Sequence, residues 1–236
     1  LNTRYPSENL IMPNITLPDN TKVRFVKVIT PLKIANKIGI GLAKSAVAAK
    51  VNGEIVGLDY EIKSDADVKI LTDKDTESLE VLRHSASHVL AEAVKKIYPK
   101  AKLGIGPAIE TGFYYDFDNL DITPEDFPKI EDKMKEIIKA DYPFEKKEIT
   151  LSEIKKIFKG NKYKIEMAEE FANAGDKLTI YTCGEFSDLC KGPHVQSTGK
   201  IGAVKLMKIA GAYWRGDARN QQLTRVYGIA FETKKE

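Results

Sequence analysis

The sequence predicts an α+β protein in two parts: a small sheet crossed by one helix, then a larger portion of long helices and antiparallel strands. Three observations predict it. Short apolar runs alternate with turn residues over 14–72 and enclose one helical pattern. A polar, acidic stretch, Thr72 to Ser78, then interrupts the chain. Beyond it a long amphipathic pattern leads into mixed helices and strands.

Within the first part, Ile15 to Leu17 and Val23 to Val28 read as strands parted by the turn residues Pro18, Asp19 and Asn20. Thr30 followed by Pro31 marks a helix start, with a capping hydroxyl and proline at the first helical position. Gly39 and Gly41 weaken that helix, which should end near them. Ser45 to Val51 is a strand. Asn52-Gly53 is a hairpin turn, because both residues tolerate positive φ. Glu54 to Val56 returns, and Asp67 to Leu71 closes the set. The order β-β-α-β-β-β is the ubiquitin-like, β-grasp arrangement. Residues 1–13 precede it as a loose extension.

The second part runs from 77 to 236. A helix is expected from about Glu77 to Tyr98, stopped by Pro99, with Leu82, Ala86, Val89, Ala93 and Ile97 on one stripe. Residues 103–118 read as strands and turns punctuated by Gly104, Gly106, Pro107 and Gly112. Thr123 and Pro124 start a helix to about Ala140 whose apolar face is Ile130, Met134, Ile137 and Ile138. Shorter helices follow at Leu151 to Phe158 and Ile165 to Ala174, then a strand at Leu178 to Cys183. The last third reads as strand, loop, strand.

Composition excludes some classes. No apolar run is long enough to span a bilayer. The N-terminus lacks the charged start and apolar core of a secretion signal. Two cysteines without such a signal point to a reducing cytoplasm and to thiols rather than a disulfide framework. A net charge of +3 permits a nucleic-acid partner without demanding one.

All three histidines fall in two signatures: His84 and His88 in HSASH, and His194 with Cys190 in CKGPH. Imidazole titrates near neutral pH and is the commonest metal ligand, so the set reads as a reactive or metal-binding centre. At about 100° per residue, His84 and His88 point away from the apolar stripe of their helix. They face solvent or line a cleft built by other elements. The four residues suit a tetrahedral zinc site, or a metal-free pocket in which imidazoles and a lysine orient water. HSASH lacks the intervening glutamate of metalloproteases, which disfavours peptide hydrolysis of that kind.

The segments HSASHVLAEAV, GIGPAIETGFYYDFD and YTCGEFSDLCKGPHVQSTGKIGAVKLMKIAGAYWRGD closely resemble the N-terminal half of the threonyl-tRNA synthetase family. Residues 14–72 resemble its TGS domain, and 77–236 its editing domain, a pattern shared with alanyl-tRNA synthetases. The family usually has arginine where Lys191 stands; the charge is kept and the planar fork is lost. The resemblance implies a cytoplasmic hydrolase that clears serine from Ser-tRNA(Thr). Discriminating serine from threonine at one synthetic site is worth only ~1–3 kcal/mol, so a second site must remove the errors.

By resemblance, His84 lies near the terminal ribose and scissile ester, Lys164 positions or activates water, and Asp188 holds the substrate α-amino group. His88, Cys190 and His194 complete the substrate pocket, Gly106 lies beside the aminoacyl group, and Tyr115 and Tyr181 surround the terminal adenosine. Lys205, Lys208, Arg215, Arg219 and Arg225, with Trp214, are candidates for a face that takes the tRNA(Thr) 3′ acceptor end. No metal is expected to be required. Zinc held by His84, His88, Cys190 and His194 is the alternative, in a tRNA-binding module without hydrolytic activity. ATP and threonine ligation are not expected of this chain, because the resemblance stops near Glu236; the remainder of a synthetase is its expected partner.

Overall fold

The computed structural model describes residues 13–233. The expected extension, 1–13, lies almost wholly outside the described residues. Contacts divide the chain into two compact units, residues 1–78 and 79–236.

In the first unit, strands β1 (Asn14–Thr16), β2 (Lys22–Arg24), β3 (Ala46–Val51), β4 (Glu54–Val56) and β5 (Ala66–Thr72) form one sheet in the order β2-β1-β5-β3-β4. β1 and β5 run parallel, which requires the helical crossover between them. This is the β-grasp arrangement. Helix α1 (Pro31–Ile38) starts where Thr30 Oγ1 accepts from Lys33 N. Asn52 and Gly53 take φ of 49° and 90° and turn β3 into β4. Two details differ from the sequence pattern. Gly39 is extended and interrupts the helix, but a second segment, α2 (Ile40–Ser45), restarts beyond it. Leu42 and Ala43 pack onto the core there, which restores what the glycine interrupts. β2 stops at Arg24, short of the apolar Val26, which is 65% exposed.

The second unit is built on helix α3 (Thr76–Ile97) and two antiparallel sheets. The larger sheet joins β6 (Lys102–Leu103), β7 (Ala108–Ile109), β8 (Gly112–Asp118), β12 (Ala203–Tyr213) and β13 (Gln222–Phe231), in the order β12-β13-β8-β6 with β7 on β8. The smaller joins β9 (Phe144–Glu148), β10 (Thr179–Cys183) and β11 (Phe186–Leu189). Helices α4 (Phe127–Ala140), α5 (Leu151–Ile157) and α6 (Lys162–Asn173) complete it. α4 follows a single 3-10 turn at Pro124–Asp126 and buries Phe127, Ile130, Met134 and Ile137 at helical spacing.

α3 is more deeply enclosed than its stripe suggests. Besides Leu82, Ala86, Val89 and Ala93, it buries Val81, Leu90, Ala91 and Val94, and the polar Ser85, Ser87 and His88. Small side chains at 85–87, 91 and 93 leave room for neighbours on nearly every side. β9 has no sequence signal, because four of its five residues are charged and exposed; pairing with β10 alone makes it a strand. Phe113, Tyr115 and Phe117 alternate along β8 at 0% exposure and anchor the larger sheet.

Because Leu90 is fully buried in the middle of α3, Leu90→Ala should destabilise the 79–236 unit by about 2–5 kcal/mol. A lowered urea midpoint with unchanged m-value would read this out; an unchanged midpoint contradicts the enclosed helix.

Candidate functional site

The two histidine signatures converge. His84 and His88 sit one turn apart on α3; Cys190 follows β11, and His194 follows the cis Gly192–Pro193 bond. Ring centroids lie 4.4 Å apart for His84–His194, 4.3 Å for His88–His194 and 5.1 Å for His84–His88. One donor atom from each of the four residues lies within 4.8 Å of all the others.

Hydrogen bonds set the ring tautomers. Pro193 O only accepts, so the His84 Nδ1 at 3.2 Å carries its proton. The Ser85 hydroxyl donates to Val81 O at 2.8 Å. Its lone pairs therefore accept from His194 Nδ1 at 3.1 Å and from Val195 N at 3.0 Å. Both rings then turn an unprotonated Nε2 toward Cys190 Sγ, at 3.3 and 3.4 Å. One thiol proton faces two acceptors. Phe144 stacks on His194 at 4.7 Å and closes its far side.

Burial shifts the whole set toward its neutral forms. It lowers the pKa of His84, His88 and His194, the last two well below the usual imidazole value. It pushes the Cys190 thiol up to about 12. Three nitrogens and a sulfur, with the Nδ1 positions of two rings already engaged, fit the donor chemistry of zinc. These residues could hold a metal ion, and binding would displace the thiol proton.

Beside this cluster, Lys164 and Asp188 form an ion pair at 2.6 Å, exposed by only 2% and 1%. Lys164 points inward because Asn161 caps α6: its side chain accepts from Tyr163 N and donates to Leu103 O at 3.0 Å, tying the helix start to β6. Asp188 Oδ2 accepts from Tyr115 OH at 2.5 Å and lies 3.9 Å from His88 Nε2.

A hollow of about 310 Å³ opens over these groups. His84, His88, Gly106, Lys164, Asp188 and Cys190 line it; Met167 and Phe171 add an apolar side. Tyr115, Tyr181 and His194 stand behind the lining, at 0%, 5% and 5% exposure. Neither tyrosine offers a ring face to solvent; Tyr115 serves from beneath, as the donor to Asp188. Gly106 contributes backbone. A Cβ there would come 2.6 Å from Tyr115 Cε2 and 3.0 Å from Ser87 Oγ, so the glycine lets the loop lie against the tyrosine. Its missing side chain thus makes room beneath the loop.

The suggested basic face is largely neutralised. Arg225 pairs with Asp116 at 2.7 Å, Arg215 with Glu166 and Glu170, Arg219 with Asp217, and Lys205 with Glu131. Lys208 covers Tyr227, and Trp214 is buried with its Nε1 on Glu166. Sequence reasoning passed over two residues that matter. Ser85 orients His194, and Ser87 Oγ lies 2.6 Å from Gly106 O. Their signal is the HSASH segment itself, since serines inside a helix need a reason to be there.

Three imidazoles held neutral give stability a definite pH dependence. Their folded pKa values are depressed, so the unfolded chain binds more protons as pH falls below about 6.5, the unfolded value. This contribution is complete above that value and is lost as pH drops toward the folded ones. The urea midpoint should therefore decline from pH 7.5 to 5.5, and less steeply in His194→Gln. A flat profile would contradict the buried, neutral cluster.

Comparison with known proteins supplies the family context. Residues 13–72 match the TGS domain, and 178–227 match the threonyl and alanyl tRNA synthetase second additional domain. The threonine–tRNA ligase of Citrifermentans bemidjiense is 49% identical over 226 residues, 94% of this chain and 35% of that protein. Those of Hahella chejuensis and a Janthinobacterium species are 49% and 48% identical, each over 95% of this chain and 36% of the relative. The chain thus spans about a third of the length of the curated relatives it matches. It carries a TGS domain and a threonyl/alanyl second additional domain, and is similar over nearly all its length to the N-terminal part of threonine–tRNA ligases.

Proposed function

We propose that residues 77–236 hydrolyse the ester of mischarged Ser-tRNA(Thr), and that 14–72 form an accompanying TGS domain. The observation that carries this reading is the buried Lys164–Asp188 pair at 2.6 Å, set beside His84 in one small hollow. An aminoacyl ester presents an ammonium, a carbonyl that becomes an oxyanion, and a ribose hydroxyl. The pocket has a counterpart for each. Asp188 is a carboxylate with lone pairs left for the ammonium after Lys164 and Tyr115 are counted. The Lys164 ammonium can stabilise negative charge developing on the carbonyl oxygen, where a fixed cation acts in a water-poor site. His84 is half-buried; its unprotonated Nε2 shares the Cys190 thiol proton with His194 and can accept a proton from the attacking water. The water oxygen bonds to the carbonyl carbon, the bond from that carbon to the ribose oxygen breaks, the ribose oxygen takes the proton, and serine departs as the free acid.

Selectivity comes from size. Serine and threonine differ by a methyl group, which a packed wall can reject outright. The backbone at Gly106, held by Ser87 and resting on Tyr115, is such a wall, since it has no direction in which to yield. The site acts in the cytoplasm on the 3′ acceptor end of tRNA(Thr), and no metal is required.

A second reading keeps RNA binding but makes the cluster a zinc site. It is favoured by the two Nε2 lone pairs aimed at one thiol. A metal there would be held by His84, His88, Cys190 and His194, and would supply structural closure without hydrolysis.

Deacylation of seryl- and threonyl-tRNA by the purified chain separates the readings. Seryl-tRNA should be cleaved and threonyl-tRNA spared. Lys164→Ala and His84→Ala should each slow cleavage by roughly 10²–10⁴-fold, the range for a lost acid–base or oxyanion group. Equal turnover of both substrates contradicts the first reading; no turnover, with stoichiometric zinc whose removal unfolds the unit, supports the second.

A further inference from the structure

A second hollow lies away from the editing pocket. Its volume is about 600 Å³. It is walled by the end of α3 and the turn after it, by β6, by the α5–α6 turn and by the start of β11. Five lysines and two glutamates line it. Two of the lysines are committed: Lys95 donates to Pro99 O and Ala101 O, and Lys96 pairs with the buried Glu92 at 3.1 Å. The other three, Lys100, Lys102 and Lys159, have no carboxylate partner among the described residues. The N-terminal end of α6 borders the same space at Gly160 and Asn161, where helix dipoles favour negative charge.

Three unpaired cations on two segments, around a hollow with apolar Phe158 and Phe186 in its wall, call for a ligand with several spaced negative charges and apolar parts between them. A lone phosphate favours a guanidinium fork, and no arginine is among the residues that line this hollow. Lysines act as spaced point charges along a strand of phosphodiesters.

The hollow also shares its framework with the editing pocket. β11 gives Phe186 and Ser187 to one and Asp188 and Leu189 to the other. The first turn of α6 gives Asn161 to one and Lys164 to the other. We propose that this lysine-lined hollow binds the phosphodiester backbone of the RNA whose aminoacyl end enters the editing pocket. The inference rests on the proposed RNA ester substrate, and it places the RNA contact here rather than on the carboxylate-paired arginines of β12–β13.

The test is binding of deacylated tRNA transcript to the full chain and to the triple variant Lys100→Ala/Lys102→Ala/Lys159→Ala, across a salt series. The variant should bind at least ~10-fold more weakly, and its slope of log affinity against log salt should shrink by about 2–3, as expected for three lost phosphate contacts. The triple arginine variant should retain affinity. Hydrolysis of a seryl ester of adenosine, which reaches only the editing pocket, should be unchanged in both. Unaltered RNA affinity and salt slope in the alanine variant would overturn the proposal. So would displacement of inorganic pyrophosphate, but not RNA, by the three alanines, because the hollow would then be a small-anion site. Absence of ester hydrolysis in the unsubstituted chain, with RNA affinity that still falls in the alanine variant, would count against the proposed chemistry alone.

Discussion

The ion pair between Lys164 and Asp188 is the constraint around which the second unit is arranged. Burying two charges costs several kcal/mol each, even after relaxation. That cost is offset only where the geometry is good and the remaining valences are satisfied. Here the pair is 2.6 Å apart, Tyr115 donates to the second carboxylate oxygen, and the Tyr115 ring lies 5.5 Å from Lys164 Nζ. Each partner comes from a different element: α6, β11 and β8. The Asn161 cap and its bond to Leu103 aim the lysine. A fold that needed only stability would fill this space with hydrocarbon. A lysine and an aspartate retained at 2% and 1% exposure, beside an open hollow, suit the proposed ester substrate, whose ammonium neighbours a carbonyl that becomes an oxyanion.

The histidine–cysteine cluster adds a second, coupled constraint. Pro193 O and Ser85 fix the tautomers of His84 and His194 without any metal. Burial then keeps the imidazoles neutral and the thiol protonated. With two Nε2 acceptors facing one thiol proton, one lone pair is left for another donor. A ribose hydroxyl, a water or a cation would each satisfy it. The same geometry therefore serves hydrolysis and metal binding, which is why residue spacing alone leaves the two readings level.

Much of this was legible in the sequence. The β-grasp order, the Asn52-Gly53 hairpin and the Thr30-Pro31 helix start follow from local chemistry that tertiary packing does not override. The convergence of HSASH with CKGPH followed from chemistry-bearing residues clustered in two short segments. Other features were hidden for physical reasons. Lys164 lies in a charged stretch beside Lys162, and only the Asn161 cap decides which lysine turns inward. β9 is charged, and a strand defined by its neighbour has no periodicity of its own. The arginines of the β12–β13 hairpin look basic in sequence, yet Arg215 and Arg225 depend on carboxylates distant along the chain, such as Asp116 for Arg225. The serines of HSASH pass for helix filler until His194 arrives from more than a hundred residues away to bond with Ser85.

The most direct test of the central claim is calorimetric titration of the chain with an amide-linked seryl-adenosine, which resists hydrolysis, and with the same compound acetylated on its amino group. If Asp188 receives the substrate ammonium, the free amine binds and acetylation weakens binding by roughly tenfold or more, the worth of a charge-assisted hydrogen bond of about 1.5–3 kcal/mol. Equal affinity for the two compounds would mean that the buried pair does not read the amino group, and the account of the pocket as an aminoacyl-ester site would fail.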